Sequence, residues 1–322
     1  MHTLRIAAAF LLATLVAGAQ AQNYPTRPIR FIVPIAAGGG ADLVARVIAE
    51  RLSRNLGQQV VVENRAGGGT VIGAELVARS PADGYTWLLG TATSHAINAS
   101  LVKKLPYDPV KDFAPITMLY LTDVLLGVHP SLPVKNVKEF IAYAKSKPGT
   151  LNYASAGTGS VAHLAGVMLI NMTGITSTHI PYKGGAANIL AVAGGEAQWL
   201  AAPIGSTIGQ VRAGRIRGLA VGGTERSSFM PEMPTLNESG VPGYQFYTWN
   251  GLMAPTGTPR AIIERIHAAA IKALNLPDVR EQYVAAGVEL RSSASPEAFA
   301  KFIAQEQQKM RNLAAGGGIT PE

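Results

Sequence analysis

A chain of 322 residues without a cysteine rules out disulfides, thiol catalysis and zinc–thiolate sites together, and it can bury a core without covalent staples. Charged residues make up 15% and apolar residues 48%, beside 35 glycines and 20 prolines, a composition for a compact globular protein and not for a disordered tail. The formal net charge is +8, yet the Lys and Arg residues are scattered and no basic run is interleaved with aromatics, so nucleic acid is not an expected partner.

Residues 1–21 read as a secretory signal. Arg5 gives a short positive start, Ile6 to Gly18 are apolar but too few to span a bilayer comfortably, and Ala19-Gln20-Ala21 is a small-x-small cleavage site. Cleavage after Ala21 removes Arg5 and leaves a charge of +7. No lipobox cysteine follows, so an exported, soluble protein without a lipid anchor is expected; a monomer is a separate expectation.

Phe31-Ile32-Val33 is a short apolar strand that stops at Pro34, passes Ile35, Ala36, Ala37, Gly38, Gly39 and Gly40, and opens at Asp42 into a helix. Leu43, Val47 and Leu52 (or Ile48) recur there at helical spacing, with Arg46, Glu50 and Arg51 on other faces. Glycines in such a turn let the backbone approach a ligand, and the N–H groups of the helix end favour an anion. Gln58 to Glu63 reads as a buried β-branched strand, and Asn64 to Thr70 as a second glycine loop before a helix over Val71 to Arg79. Tyr85 to Gly90 is a third strand, followed by a polar loop, Thr91 to His95. This alternation predicts a parallel α/β sheet with crossover helices.

Leu119 to Val128 is an extended segment long enough to cross between lobes, and beyond it the same grammar restarts. Asn136 is an N-cap for a helix through Lys145, Leu151 to Ala154 is a strand, and Asn152 to Ser160 copies the first glycine turn before a helix from His163. Thr178 to Gly185 repeats the device, and Ala197 to Ala202 and Ile216 to Val221 are further strands. Gln245 to Trp249 crosses back. Thr258-Pro259 and Ser295-Pro296 each open a helix, and the glycines from Gly316 fray the end. The expected division is discontinuous: residues 22–122 with 249–322 as one lobe, and residues 123–248 as the other.

The chain carries no Gly-x-Ser-x-Gly elbow, His-Glu-x-x-His or Walker loop, and Gly38–Gly40 lacks the Rossmann spacing. His95, His129, His163, His179 and His267 show no metal-ligand spacing, so neither metal nor cofactor is expected. Ser94-His95 and Ser160 with His163 are the pairs that could serve a secreted serine hydrolase. The competing reading makes Ser160 a helix cap with His163 packed behind the loop. For Gly67–Gly69 close packing is favoured over binding. For Gly38–Gly40 and Gly157–Gly159, at the carboxyl ends of strands in different lobes, binding is favoured.

Val33-Pro34 with Gly38 to Asp42 and Ala45-Arg46, Val62 to Arg65 with Gly67 to Gly69, and Ala82 to Thr86 resemble the tripartite tricarboxylate transporter substrate-binding (Bug) family. Gly157 to Ser160 with His163 to Gly166, Pro181 to Gly184, Ala213 to Arg215, and Gly251 with Ala254-Pro255 and Gly257 to Pro259 continue the resemblance in order over nearly the whole chain after residue 21. Each motif alone is modest, but the ordered set is specific.

The resemblance implies an α/β periplasmic binding protein of the Venus-flytrap kind, two lobes with mostly parallel sheets and two crossing strands as hinge. It would capture a small carboxylic acid and deliver it to inner-membrane transporter subunits, without catalysis; service to a sensor protein is an alternative. It carries ligand contacts onto Ala36, Ala37, Gly38, Gly39, Gly40 and Asp42 in one lobe and Gly157, Thr158, Gly159, Ser160 and His163 in the other. Thr91, Thr93 and Ser94 are expected to face the cleft, whereas Asp42 suits a first-turn dipole partner paired with Arg46 better than a ligand contact. Leu200-Ala201-Ala202-Pro203 stands where many relatives carry an acidic residue, which puts Ala202 at the site and argues for a dicarboxylate or aromatic acid over an amino acid. Trp249 and Tyr247 either wall the pocket or belong to the core.

Overall fold

The computed structural model describes residues 24–38 and 40–316; the expected signal and its cleavage site, Gly39 and residues 317–322 lie outside them. Strand and helix alternate: β1 (Ile29–Val33), α1 (Gly40–Leu56), β2 (Val60–Asn64), α2 (Val71–Ala78), β3 (Thr86–Thr91), α3 (Asn98–Leu101) and β4 (Phe113–Val128). After α4 (Val137–Ser146) come β5 (Leu151–Ser155), α5 (Val161–Thr173), β6 (Ser177–Pro181), α6 (Gly185–Ala193), β7 (Trp199–Pro203), α7 (Ile204–Arg212) and β8 (Arg217–Val221). The chain returns through β9 (Tyr247–Pro255) to α8 (Arg260–Leu274), α9 (Pro277–Ala285), β10 (Glu289–Leu290) and α10 (Pro296–Gly316).

The strands run in the order β2-β1-β3-β9-β4-β7-β5-β6, with β8 and β10 also on β4. Pairing is parallel for β1 with β2 and β3, and for β5 with β6 and β7. It is antiparallel wherever β4 or β9 takes part. β4 binds the two lobes because it changes partner midway. Phe113 to Asp123 lie against β9, and Val124 to Val128 against β7 and β8. At the change the Gly222 N–H donates to the Val124 carbonyl at 2.7 Å, and the Phe246 N–H to the Gly222 carbonyl at 2.8 Å. Tyr247 then pairs with Asp123, so two strands cross between the lobes side by side.

Strand alternation distributes the core. Ile29, Phe31 and Val33 pack with Ile48 and Leu52 of α1 and Ile266 of α8, while Ile32 and Leu88 face Val77 of α2 and Phe299 of α10. Each such fully buried side chain contributes roughly 1.5–3 kcal/mol. Trp249 is fully buried and meets Phe299 and Phe302 edge-on, which makes it core and not a cleft wall. Tyr247 stacks on Phe302 and donates its hydroxyl to Glu306 at 2.9 Å.

Four local expectations change. In the stripe expected for α1, Val47, Ile48 and Leu52 are buried, but Leu43 is 51% exposed and Val44 is buried in its place. β2 is an edge strand, so its β-branched run is only partly buried. Thr91 to His95 is not an open loop, since Thr93 to Ile97 form a π-helical turn leading into α3. Thr258 does not cap α8; its hydroxyl donates back to the Pro255 carbonyl at 2.7 Å, and Pro259 precedes the helix. Two caps match the sequence reading: Asn136 Oδ1 accepts from the Glu139 N–H at 2.9 Å, and Ser295 Oγ from the Ala298 N–H at 3.2 Å.

Candidate functional site

In each lobe three parallel strands end at one edge, and each strand feeds a helix or helical turn. The six junctions meet in the cleft between the lobes. They line two adjoining cavities of about 500 and 240 Å³ that share Thr93, Val161, Pro203 and Ser206. The first lobe supplies Gly40 and Ala41 after β1, Gly68, Gly69 and Thr70 after β2, and Thr91 and Thr93 after β3. The second supplies Thr158, Gly159 and Ser160 after β5, Gly185 after β6, and Ala202 and Pro203 from the end of β7. Among the described residues no acidic or basic side chain and no histidine lines either cavity. What points inward is backbone, hydroxyl and amide, beside the apolar Ile97, Leu101 and Val102.

Asp42 is occupied in holding the first turn. Its carboxylate accepts from the Gly38 N–H at 2.9 Å, Arg46 Nε at 3.0 Å and Asn64 Nδ2 at 2.9 Å. Burial pushes its pKa up, but the bonds from Arg46, Gly38 and Asn64 outweigh that and hold it below the ordinary value. Ala36, Ala37 and Gly38 are exposed and lie outside both cavity linings. Gly39 lies outside the described residues.

The turn after β2 carries the strain. Gly67, Gly68 and Gly69 all have positive φ, and Thr70 follows at φ 78° and ψ −4°. A β-branched residue held there costs roughly 1–3 kcal/mol. The Thr70 hydroxyl is buried without a hydrogen-bond partner, and the residue lines the smaller cavity. The loop expected to serve packing therefore lines the cleft, with Asn98 Nδ2 donating to the Gly69 carbonyl at 2.9 Å.

Ser94 and His95 are fully buried. Ser94 Oγ lies 2.8 Å from His95 Nδ1, accepts from the Thr91 N–H at 2.9 Å and donates to the Thr91 carbonyl at 3.1 Å. Burial pushes the His95 pKa down to about 3, and the pair does not reach the cleft. In the other lobe Ser160 Oγ accepts from the backbone N–H of His163 at 3.3 Å, so it caps α5 as one of the two readings held. The His163 ring faces away, stacked 4.1 Å from His179, and its Nδ1 accepts from the Gly159 N–H at 3.0 Å. Burial, then neighbouring His179, push its pKa down to about 4, which keeps Nδ1 an acceptor. Neither serine has the base and orienting carboxylate that a hydrolytic triad needs.

Gly68 and Gly69 belong to the loop that the sequence assigned to close packing, and Asn98, Asn188 and Ser206 carry no sequence signal for the cleft they line. Thr122, Thr248 and Asn250 on the crossing strands complete the floor of the smaller cavity. Among the described residues no cluster of His, Asp and Glu could hold a metal ion, and no helix is long and apolar enough to cross a membrane.

Comparison with known proteins gives a consistent neighbourhood. Residues 44–318 match the model of the tripartite tricarboxylate transporter family receptor. The protein BugT of Bordetella pertussis is 36% identical over 298 residues, covering 92% of this chain and 91% of its own. The structure of R. palustris Rpa4515 with adipate superposes with a TM-score of 0.86 at 35% identity, over 93% of this chain and all of that one. The periplasmic binding protein BugD gives 0.81 at 33% identity, again over 93% of this chain and all of that one. Six strand–helix junctions closing on an uncharged cleft, a sheet crossed by two strands and these matches together make this chain a member of the tripartite tricarboxylate transporter receptor family, a solute-binding protein of the two-lobed periplasmic kind.

Proposed function

We propose that this chain captures a small carboxylate, a dicarboxylate or an aromatic acid, and delivers it to the membrane subunits of a tripartite tricarboxylate transporter. The observation that carries the reading is the convergence of six strand–helix junctions on one cleft that no charged side chain lines among the described residues. Helix N-terminal N–H groups and dipoles favour an anion, each by roughly 0.3–1 kcal/mol. Several acting together bind a carboxylate, and the lack of a desolvated Lys or Arg partner lets it leave again. Rpa4515, at 35% identity, carries adipate.

In this reading Gly40, Thr70, Thr91 and Thr93 act from one lobe, residues 22–122 with 249–322. Thr158, Gly159, Ser160 and Ala202 act from the other, residues 123–248. The carboxylate takes the smaller cavity, which Thr70, Thr91 and Thr93 line, and the body of the acid extends into the larger one. The chain acts as a monomer in the periplasm after export through residues 1–21. Closure about β4 and β9 needs no covalent chemistry, because ligand stabilises the closed state by its differential affinity.

Ala202 and its neighbours offer no carboxylate for an ammonium group. Titration calorimetry with adipate, benzoate, aspartate and glutamate tests the reading. Amine-free acids are expected to bind and amino acids to bind at least tenfold more weakly. Binding of none of the acids, or tighter binding of aspartate, would overturn it.

A further inference from the structure

Side chains alternate across the two crossing strands, so the hinge has two faces. Tyr120 and Thr122 of β4 and Thr248 and Asn250 of β9 face the cleft and line its smaller cavity. Asp123 and Tyr247 lie on the other face and line a separate cavity of about 180 Å³ behind the hinge. One lobe walls that cavity with Glu289 and Arg291, and the other with Glu225 and Arg226. Asp123 stands at the pivot, where β4 leaves β9 for β7 and β8. It is 8% exposed, and among the described residues no group donates a hydrogen bond to its carboxylate. Gly223 covers one side of it so closely that a Cβ there would lie 2.5 Å from Oδ2.

Of the charged groups that share this cavity, Arg226 is taken up by Glu238, whose carboxylate lies 2.9 Å from its Nε. Arg291 favours an ionised Asp123, whereas Glu289 opposes it. Beside them Tyr247 gives its hydroxyl to Glu306, which also holds Lys309 at 3.4 Å. In this structure the lobes touch in front of the strands at Gly205 and Gly287, and the cavity behind the strands is open. A rotation about β4 and β9 that parts the lobes in front brings them together behind, and moves Glu225 toward Asp123 and Glu289. Lost solvent and an approaching like charge both penalise an ionised carboxylate. We infer that the back of the hinge is a proton-linked switch, in which an ionised Asp123 holds the lobes closed on the ligand and its protonation frees them to open. This rests on the carboxylate reading and the closure about these strands given above, and adds the condition for release. Burial first, and Glu289 second, push the Asp123 pKa up to about 7 in the arrangement seen. The open arrangement raises it further, so capture of ligand releases a proton and affinity climbs as pH rises above 7.

Calorimetry with adipate and benzoate on the chain from Gln22 onward tests it between about pH 6.5 and 8.5, where both acids are ionised. Affinity is expected to rise at least threefold across that range. Near pH 8, titrations in buffers of different protonation enthalpy should show a fraction of a proton released on binding. Asp123→Asn, which keeps the shape and cannot ionise, should hold the pH 6.5 affinity throughout and release no proton. Glu225→Gln, which removes the approaching charge, should lessen the rise. The proton count on the unaltered chain decides the matter even where a variant does not fold. Affinity that ignores pH, proton uptake on binding, or the same rise in Asp123→Asn would overturn this inference and leave the carboxylate reading standing. If neither acid binds at any pH, the carboxylate reading falls and this one with it.

Discussion

Gly205 of α7 and Gly287, after α9, touch backbone to backbone across the cleft, one from each lobe. A Cβ on Gly205 would lie 2.6 Å from the Ala286 carbonyl oxygen, and a Cβ on Gly287 would lie 2.6 Å from the Gly205 Cα. Thr122 on β4 fixes the turn by donating its hydroxyl to the Gly287 carbonyl at 2.9 Å. The lobes therefore meet at a point where a single methyl group cannot be placed without separating them. Gly205→Val is expected to hold the lobes apart and to weaken ligand at least tenfold, since a ligand gripped by both lobes pays for closure from its own affinity. Small-angle scattering should show a more open particle with ligand present, and the thermal midpoint without ligand should change little. A compact liganded particle with ordinary affinity would show that this contact does not gate closure.

Gly159 is the matching test on the second lobe. Its φ is 73°, and a Cβ there would lie 3.7 Å from Leu101 Cδ1 of the opposite lobe, an ordinary contact. Alanine therefore meets a conformational cost of about 1–2 kcal/mol with no clash, and affinity should fall a few-fold. Valine adds methyl groups against Leu101 and should reduce affinity at least tenfold. Equal losses for the two variants, measured by calorimetry, would mean that backbone strain and not the approach of Leu101 is what matters.

What the sequence disclosed follows from the range of the forces involved. Runs such as Phe31–Val33 and Leu151–Ala154, each stopped by small residues before a helix, carry their own pattern, so the alternation and the cleft edge were legible. In α1 the pattern places Val47, Ile48 and Leu52 correctly and fails only at Leu43, because one step to Val44 turns the face by about 100° and the first turn has no earlier large apolar residue to fix it. The turn after β3 depends on distant partners: Tyr107 donates its hydroxyl to the Ser94 carbonyl at 2.8 Å, and Gln307 Nε2 to the His95 carbonyl at 2.7 Å. Nothing near Ser94 announces either. Asn188 is likewise an ordinary polar residue in its helix until the packing of its own lobe buries it.

Asp123 sits where β4 changes lobes, beside Glu289 and Arg291 and against Gly223. Burial first, and Glu289 second, push its pKa up to about 7, with Arg291 opposing. The folded protein thus keeps a proton between about pH 4 and 7 that the unfolded chain gives up, and stability falls as pH rises through that window. Asp123→Asn should remove this slope and raise the thermal midpoint at pH 8 by a few degrees while leaving pH 4 little changed. Melting curves of both proteins at the two pH values decide it; an equal shift at each would assign the effect to packing.

His163 titrates in the opposite sense. Its folded pKa is pushed down to about 4 from an ordinary value of 6.5, by burial and by His179. The unfolded chain binds a proton that the fold refuses, so this contribution to stability is present above 6.5 and is lost as pH falls toward 4. Protonation also places a hydrogen on Nδ1, the atom that accepts from the Gly159 N–H at 3.0 Å, and so turns an attraction within the cleft loop into a donor–donor repulsion. The ring and the Gly159 amide should therefore titrate together, with one midpoint near 4 in both NMR signals. His163→Gln, whose side-chain oxygen can accept the same bond, should leave the Gly159 amide signal flat between pH 6.5 and 4. A His163 midpoint near 6.5, or a Gly159 amide that ignores it, would show that the imidazole does not hold the loop.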